Sequence, residues 1–563
     1  MLACSGLARD GSPVAGFTFD GERTVTYTGR EPVEASVRLS LELPPTDDPG
    51  WLVPGLFYGE NRPERCTRLF PRFTPGHVDV ARLESDRWSF RADRCATPAV
   101  FARGGGLLTS EVSPLGQAGV GFALRGGRPT IWLDFPYREE PLAYDGSETP
   151  LPPDVQTHRW TPGERVELDV RVNDGDWRAA LAAASGTVPL SPPRPLVSLE
   201  EAAAHSAHAL LRWHYRAEPP RLCHAVSFDG SEVRDHMHVS WVSGVPYAYA
   251  LLRHGLRVGN GDSVEAAEAV LGHVAGNLAP GGTVWPQWTA TRGWQWGWHP
   301  DHDRAHARTV ADATLYMQRA ARLSGTVPLS HAVASNIAVA LRTQREDGAL
   351  PTAHSLASGE ALDWEGTAGM AWIPGLVEAG HLEEARAAGA YYARFDTWYG
   401  APEDVDLAPT SEDGYAAIMA FVALEDWETA RRAADWTLTF RYSYDVTFPP
   451  GSELGRLGFR TRGADQASPA NQHLHAFGLI CTRELLRLAE ATGEERYRDA
   501  ALEHLDCFRQ LVPRNDGEFG AKRGMAAERY LQTDCFGPKG TLDPLSHAWS
   551  VGVLLLACEE LLA

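Results

Sequence analysis

The chain has 563 residues, a formal net charge of −21 and a pI near 5.4. Its only lysines are Lys522 and Lys539, so almost every positive charge is an arginine, and an acidic surface of this size argues against nucleic acid as a partner. No run approaches the ~18 consecutive apolar residues of a membrane span, and the opening MLACSGLARDGSPVAG lacks a basic stretch followed by an apolar core. The sequence therefore reads as a soluble, cytoplasmic protein.

Up to about residue 195, short β-branched and aromatic segments (TVTYTG, ASVRLSLEL, GVGFALRG, PTIWLDF, RVELDVRV) alternate with Gly, Pro and Asp turns. This pattern predicts an antiparallel β-sandwich over residues 1–195, ending in a short helix (DGDWRAALAAASG) and a Pro-rich linker (TVPLSPPRPLVS). The eight cysteines show no CxxC spacing and read as buried thiols; Cys66 and Cys95, both in this first domain, are the pair to check for a bridge.

From 196 to 563 the pattern is helical. Segments 198–216, 262–278, 328–346, 381–398, 426–442 and 494–511 are amphipathic. They alternate with segments 236–256, 306–324, 364–379, 411–424, 469–491 and 545–562, which are apolar or small on most faces. Six outer and six inner helices repeat as hairpins, and the economical closure is an (α/α)6 toroid rather than an open solenoid. Gly366, Ala368, Gly369, Gly414, Ala416 and Ala417 are read as letting inner helices approach at a crowded axis.

Loop lengths orient the ring. Inner-to-outer connections are short (RVGNG, SGTVP, AGH, LED, ATGE), whereas outer-to-inner connections are long, at 217–235, 279–305, 347–363, 399–410, 443–468 and 512–544. All the long loops fall where the inner helices begin, and long loops on a rigid scaffold are where sites are built.

An N-terminal β-sandwich, a linker and a toroid with acids at the inner-helix starts resembles the six-hairpin glycosidase superfamily, which includes glucoamylases and unsaturated glucuronyl hydrolases. LDWEGTAGMAW (362–372) is similar to the acid-bearing D-x-W-E stretch of glucoamylase-like enzymes, with the spacer residue missing. The resemblance implies carbohydrate substrates, glycosidic cleavage with inversion and no organic cofactor.

The residues suit sugar chemistry independently. Stretch 283–309 holds five of the 18 tryptophans in a Gly- and Pro-punctuated run that reads as neither regular helix nor strand. Apolar pyranose faces stack on indoles while hydroxyls need polar side chains. Trp294, Trp296, Trp298, His302 and Arg308 are thus expected to bind substrate, joined by Trp372, Asp413, Gln472, His473 and Arg523 from the other long loops. Tyr58 and Asn61, in the irregular WLVPGLFYGENRPERCTRLFPRF, are expected to close the mouth into a blind pocket and make the action exo. His299, His302 and His306 lack the spacing of a metal site.

Hydrolysis needs an acid for the leaving oxygen and a second carboxylate for water or the anomeric carbon. Glu365, flanked by Trp364 and Trp372, is expected to be the acid; Glu412, in TSED, the base; Asp363 and Asp465 are reserves. A lyase or epimerase using His, Tyr or Arg on the same toroid, and a non-catalytic sugar-binding protein, are the alternatives.

Overall fold

A computed structural model describes residues 2–59, 72–73, 88–140, 142–143, 154–187, 193–299, 301–403, 409–469 and 471–562. Asn61 and Cys66 lie outside them. Strand Val33–Glu42 is the spine of a seven-stranded antiparallel sheet, with Ala3–Leu7 on one side and Arg128–Phe135, Gly119–Arg125 and Trp88–Arg91 on the other. Its alternation buries Ala35, Val37 and Leu39 on one face, the period-two pattern expected of a half-buried strand. A five-stranded sheet, from Arg171–Asn173 through Gly105–Leu108 and Ala99–Ala102 to Leu52–Val53 and Phe57–Tyr58, packs against it. Val37, Leu39, Val100, Leu107, Phe122 and Leu133 share the core between them. Cys95 is a free, buried thiol, and its burial raises the thiol pKa.

Helix α1 (Trp177–Thr187) follows the sheets. Then come α2 (Leu199–Ala209) and the hairpins α3 (Val245–Val258)/α4 (Gly261–Ala275), α5 (Ala307–Leu323)/α6 (Ser330–Thr343), α7 (Trp372–Ala379)/α8 (Leu382–Tyr392) and α9 (Ser411–Ala423)/α10 (Trp427–Thr437). A short α11 (Glu453–Leu457) precedes the last hairpin, α12 (Thr482–Thr492)/α13 (Glu495–Phe508), and α14 (Ala548–Leu561) ends the chain of helices. The first member of each hairpin is inner. Inner helices touch in the order α3, α5, α7, α9, α12, α14, and α14 returns to α3 while packing on α2. The ring is closed by pairing the last helix with the first.

Burial explains which helices are inside. In α14 every residue from Ala548 to Cys558 is buried, whereas α4 buries only one stripe. The one carboxylate deep in α14, Glu559, is paired with Arg257 at 2.7 Å and with His254 at 2.7 Å, both on α3, so the closing contact is ionic as well as apolar.

The helices are shorter at their starts than the sequence pattern suggests. His236–His238, Arg304–His306, Leu474–His475 and Leu545–His547 are short strands, and Ala368–Ala371 and Phe477–Cys481 are 3-10 turns. The tryptophan-rich stretch is also partly regular: Gln287–Thr289 and Gly293–Gln295 form a hairpin that pairs with His236–His238, which corrects the reading of 283–309 as irregular throughout.

The small residues also act differently from expectation. A Cβ at Gly414 would meet Thr437 of outer helix α10, and one at Gly369 would meet Tyr392 of outer helix α8, so these glycines seat inner helices on outer ones. At the seam that closes the ring it is Gly552 that has no room: a Cβ there would overlap the Tyr247 ring of α3, which is anchored through its hydroxyl to the Trp241 carbonyl. Gly552→Ala is therefore expected to destabilise the protein by about 1–3 kcal/mol through overpacking, read as a lowered denaturation midpoint; an unchanged midpoint would show that the seam relaxes.

Candidate active site at the mouth of the ring

Each inner helix begins at the loop-rich end. Four of the six inner starts, those of α3, α5, α12 and α14, contribute to one closed circuit. Trp298 lies 6.0 Å from His224, His224 lies 4.6 Å from His547, and His547 lies 6.2 Å from Trp549, measured between ring centroids. Trp549 meets Phe477 at 5.6 Å. The Arg308 guanidinium sits over Phe477 at 4.9 Å and over Trp241 at 4.8 Å, and Trp241 returns to Trp298 at 5.6 Å. Aromatic faces and a cation thus wall the mouth, an arrangement suited to the apolar faces of a sugar.

Inside this wall stand carboxylates and imidazoles. Arg308 hydrogen-bonds Glu412 through Nη1 and reaches Asp312 through Nε at 3.4 Å, while Nη2 makes no hydrogen bond among the described residues. The Glu528 carboxylate is 3.1 Å from His547 Nε2. Trp549 Nε1, which can only donate, gives its hydrogen to His547 Nδ1 at 3.1 Å, so the His547 proton is on Nε2, facing Glu528. Burial works to raise the Glu528 carboxyl, but the facing His547 and the neighbouring Arg529 outweigh it and hold it well below the usual carboxylate range.

Six histidines gather here: His224, His236, His238, His473, His475 and His547. His224 Nδ1 and His236 Nε2 share a hydrogen bond, and His238 stacks on Trp298 at 4.9 Å. Burial is the largest cause that pushes His224, His236, His238, His473 and His475 below the ordinary imidazole range. Neutral imidazoles are competent to accept protons at neutral pH. Among the described residues no group of three or more His, Cys, Asp or Glu has the arrangement of a metal site.

The expected site residues divide. Arg308, Glu412, Trp298 and His473 lie at the mouth. Trp296 stacks on exposed His302 at 4.0 Å on the rim, and Trp294 packs on His273 of α4 at 4.8 Å. Asp363 caps the turn before the third inner helix, accepting the N–H groups of Trp364 at 2.7 Å and Glu365 at 3.0 Å, and stands 3.8 Å from Arg304. Glu365 is half-buried in that turn, at an inner start outside the circuit.

Other residues are committed to partners outside the circuit. Asp413 is fully buried as a helix cap, accepting from Thr410 N–H at 2.8 Å and Ala401 N–H at 2.6 Å. Asp465 is fully buried, with Arg441 bound bidentately at 2.7 and 2.9 Å. Trp372 is 1% exposed, turned into the core beside His354, and the buried Gln472 amide bonds the Pro469 carbonyl. Arg523 points outward to His205 of α2 at 2.9 Å. Tyr58 is buried between sheet and ring, stacked on Phe440 at 4.5 Å and bonded to Thr439 at 2.8 Å, so it does not close the mouth.

The residues missed carry a repeated signal. Met237-His238, Ala305-His306, Leu474-His475 and Ser546-His547 each place a histidine at the end of a short strand just before an inner helix. Aligning the hairpins on that histidine, rather than on acids, brings His475 and His547 out of the sequence together.

No protein-family model and no curated protein matches the chain. Among solved structures it is similar to a polysaccharide lyase, at 10% identity over 99% of this chain and 92% of the lyase, with a TM-score of 0.50. It is also similar to a D-mannose isomerase, at 13% identity over 65% of this chain and 97% of the isomerase (TM-score 0.47). A cellobiose 2-epimerase from Spirochaeta thermophila matches at 13% identity over 64% of this chain and 96% of the epimerase (TM-score 0.43). At these identities the likeness is one of fold. No described helix is long and apolar enough to cross a membrane.

The buried histidines make stability depend on pH. His238 falls to about 3 in the folded protein, against about 6.5 unfolded. The unfolded chain therefore binds the extra proton first, and the stability present above pH ~6.5 is lost as pH falls toward His238's folded value. His238→Gln should reduce the slope of unfolding free energy against pH, measured by urea titration between pH ~4.5 and ~6, by up to ~1.4 kcal/mol per pH unit. An identical slope in the variant would exclude His238 as a contributor.

Proposed function

We propose that the protein is a carbohydrate-active enzyme that moves a proton at a sugar carbon, with a neutral histidine as base, in epimerisation or isomerisation of a neutral sugar. The observation that carries this reading is the gathering of neutral imidazoles around Arg308 and Glu412 inside an aromatic wall. Neutral sugar is favoured because Arg308 is already compensated by Glu412 and Asp312, and Arg529 stands 3.5 Å from Glu528. The domain reading goes with it: a β-sandwich over 1–195 supports a catalytic toroid over 196–563.

His475 is the assigned base. The C–H bond next to the sugar carbonyl breaks, its proton goes to the imidazole, and the electron pair moves onto the carbonyl oxygen. There the Nη2 donor of Arg308 stabilises the developing charge. In epimerisation the protonated His475 returns its proton to the other face of the same carbon once the enediolate has turned, and in isomerisation to the neighbouring carbon while a hydroxyl proton passes between the two oxygens by way of the Glu528 carboxylate, which His547 holds. Trp298 offers an indole face to the ring of the sugar.

A second reading is carried by Glu412. A carboxylate held by Arg308 in the first turn of an inner helix is the setting of a general base, and with Glu365 as acid it describes an exo-acting, inverting glycosidase. The two readings separate on products. Incubation with a panel of monosaccharides and disaccharides in D2O, followed by proton NMR, is expected to show deuterium at a sugar carbon and a new epimer or ketose without net hydrolysis. His475→Asn should lower that turnover by on the order of 100-fold or more. New reducing ends abolished by Glu412→Gln would establish the glycosidase instead, and an unsaturated uronate absorbing in the ultraviolet would establish a lyase.

A further inference from the structure

Behind the mouth, hydrogen bonds run from the outer helices to His475. Arg441, just after α10, binds Asp465 with two hydrogen bonds and gives a third, at 2.6 Å, to the Ala500 carbonyl of α13. Asp465 accepts the Tyr415 hydroxyl at 2.6 Å. The Tyr415 oxygen stands 3.4 Å from His475 Nε2, and Ser411 Oγ stands 3.0 Å from the same nitrogen. All of these side chains are buried.

One placement of the hydrogens along this chain satisfies every group in it. Asp465, paired with Arg441, is ionised and can only accept, so the Tyr415 hydrogen is committed to it. Ser411 Oγ stands 3.1 Å from the Ala467 carbonyl as well as 3.0 Å from His475 Nε2, and in this placement its hydrogen lies on the carbonyl. Both oxygens then turn lone pairs toward His475 Nε2, and a bare Nε2 would face them lone pair to lone pair. In this placement the Nε2 atom carries the proton. His475 Nδ1 makes no hydrogen bond among the described residues and is not among the buried unpartnered atoms, so it is open to the mouth.

We infer that Tyr415, Asp465 and Arg441 are positioning residues that fix the His475 tautomer, holding the Nδ1 lone pair toward the sugar. This rests on the assignment of His475 as base. Packing enforces it: a Cβ at Gly478 would run into Asp465, so the backbone between His475 and α12 passes the relay with no room to spare. The charged and titratable groups acting on His475 are Glu412, Asp465, Arg308 and Glu528, with His473 at 5.9 Å and His504 on the far side of Asp465.

The test uses the full chain labelled with 15N-histidine, with the His475 signals identified by their loss in His475→Asn. At neutral pH the wild type is expected to show a protonated Nε2 and an unprotonated Nδ1. Tyr415→Phe is expected to mix the two tautomers, lower kcat by on the order of tenfold or more with KM little changed, and shift the acid limb of the pH profile. Ser411→Ala, which leaves the Tyr415 oxygen in place, should keep the wild-type tautomer. A proton on Nδ1 in the wild type, or a tautomer unmoved by Tyr415→Phe in a folded variant, overturns the relay. The stated tautomer together with full turnover by His475→Asn supports the relay's geometry and overturns the proton-transfer reading.

Discussion

The buried pair of Arg441 and Asp465 is the contact on which the working face depends. Isolated in the interior, either charge would cost several kcal/mol of lost hydration. Together, with the Ala500 carbonyl and the Tyr415 hydroxyl satisfying the remaining groups, they are tolerated, and Asp465 stays ionised at a pKa of about 2, burial being outweighed chiefly by Arg441. The pair ties the end of α10 to the strand Asp465–Gln466, and that strand pairs with Leu474–His475. One residue on, Gln466 donates to the Gly55 carbonyl of the N-terminal sheets at 2.5 Å. Sheets, outer helices and two inner helices therefore meet around this pair.

The sheets do more than precede the ring. Tyr442 bonds the Asp93 carbonyl at 3.0 Å, Tyr444 reaches the Ala92 and Cys95 carbonyls at 3.0 Å, and Lys539 pairs with Asp93 at 2.7 Å. Arg91 and Arg94 both reach Asp534 of the last long loop, at 2.9 and 2.8 Å. These bonds hold two of the long connections that shape the mouth, the ones carrying Asp465 and Glu528. A long loop with its backbone groups satisfied by a neighbouring sheet is a firm support for catalytic side chains.

The chemistry of the mouth follows from its burial. Imidazoles lose their charge when water is removed, because the protonated form is the one that needs solvent. A carboxylate keeps its charge where a histidine and an arginine stand beside it, as Glu528 shows. One enclosure thus holds neutral bases beside fixed anions, with Arg308 presenting an uncommitted Nη2 donor between aromatic faces. Proton transfer at carbon requires that combination, since the base must be unprotonated while the developing oxyanion needs a donor.

By itself the sequence determined the architecture. The alternation in ASVRLSLEL marked a strand, the all-round apolar character of HAWSVGVLLLA marked an inner helix, and unequal loops marked the loop-rich face, because each is a local pattern imposed by burial on one chain segment. It also placed Arg308 and Glu412 at that face. The rest was decided only in three dimensions. Asp413 and Asp465 look like any other acid before a helix, but a cap and an arginine 24 residues away consume them. His475 and His547, 72 residues apart in sequence, become parts of one site because ring closure sets α12 beside α14. Local periodicity reports which face of a segment is buried; which buried groups share a hydrogen is settled by the segments that pack against it.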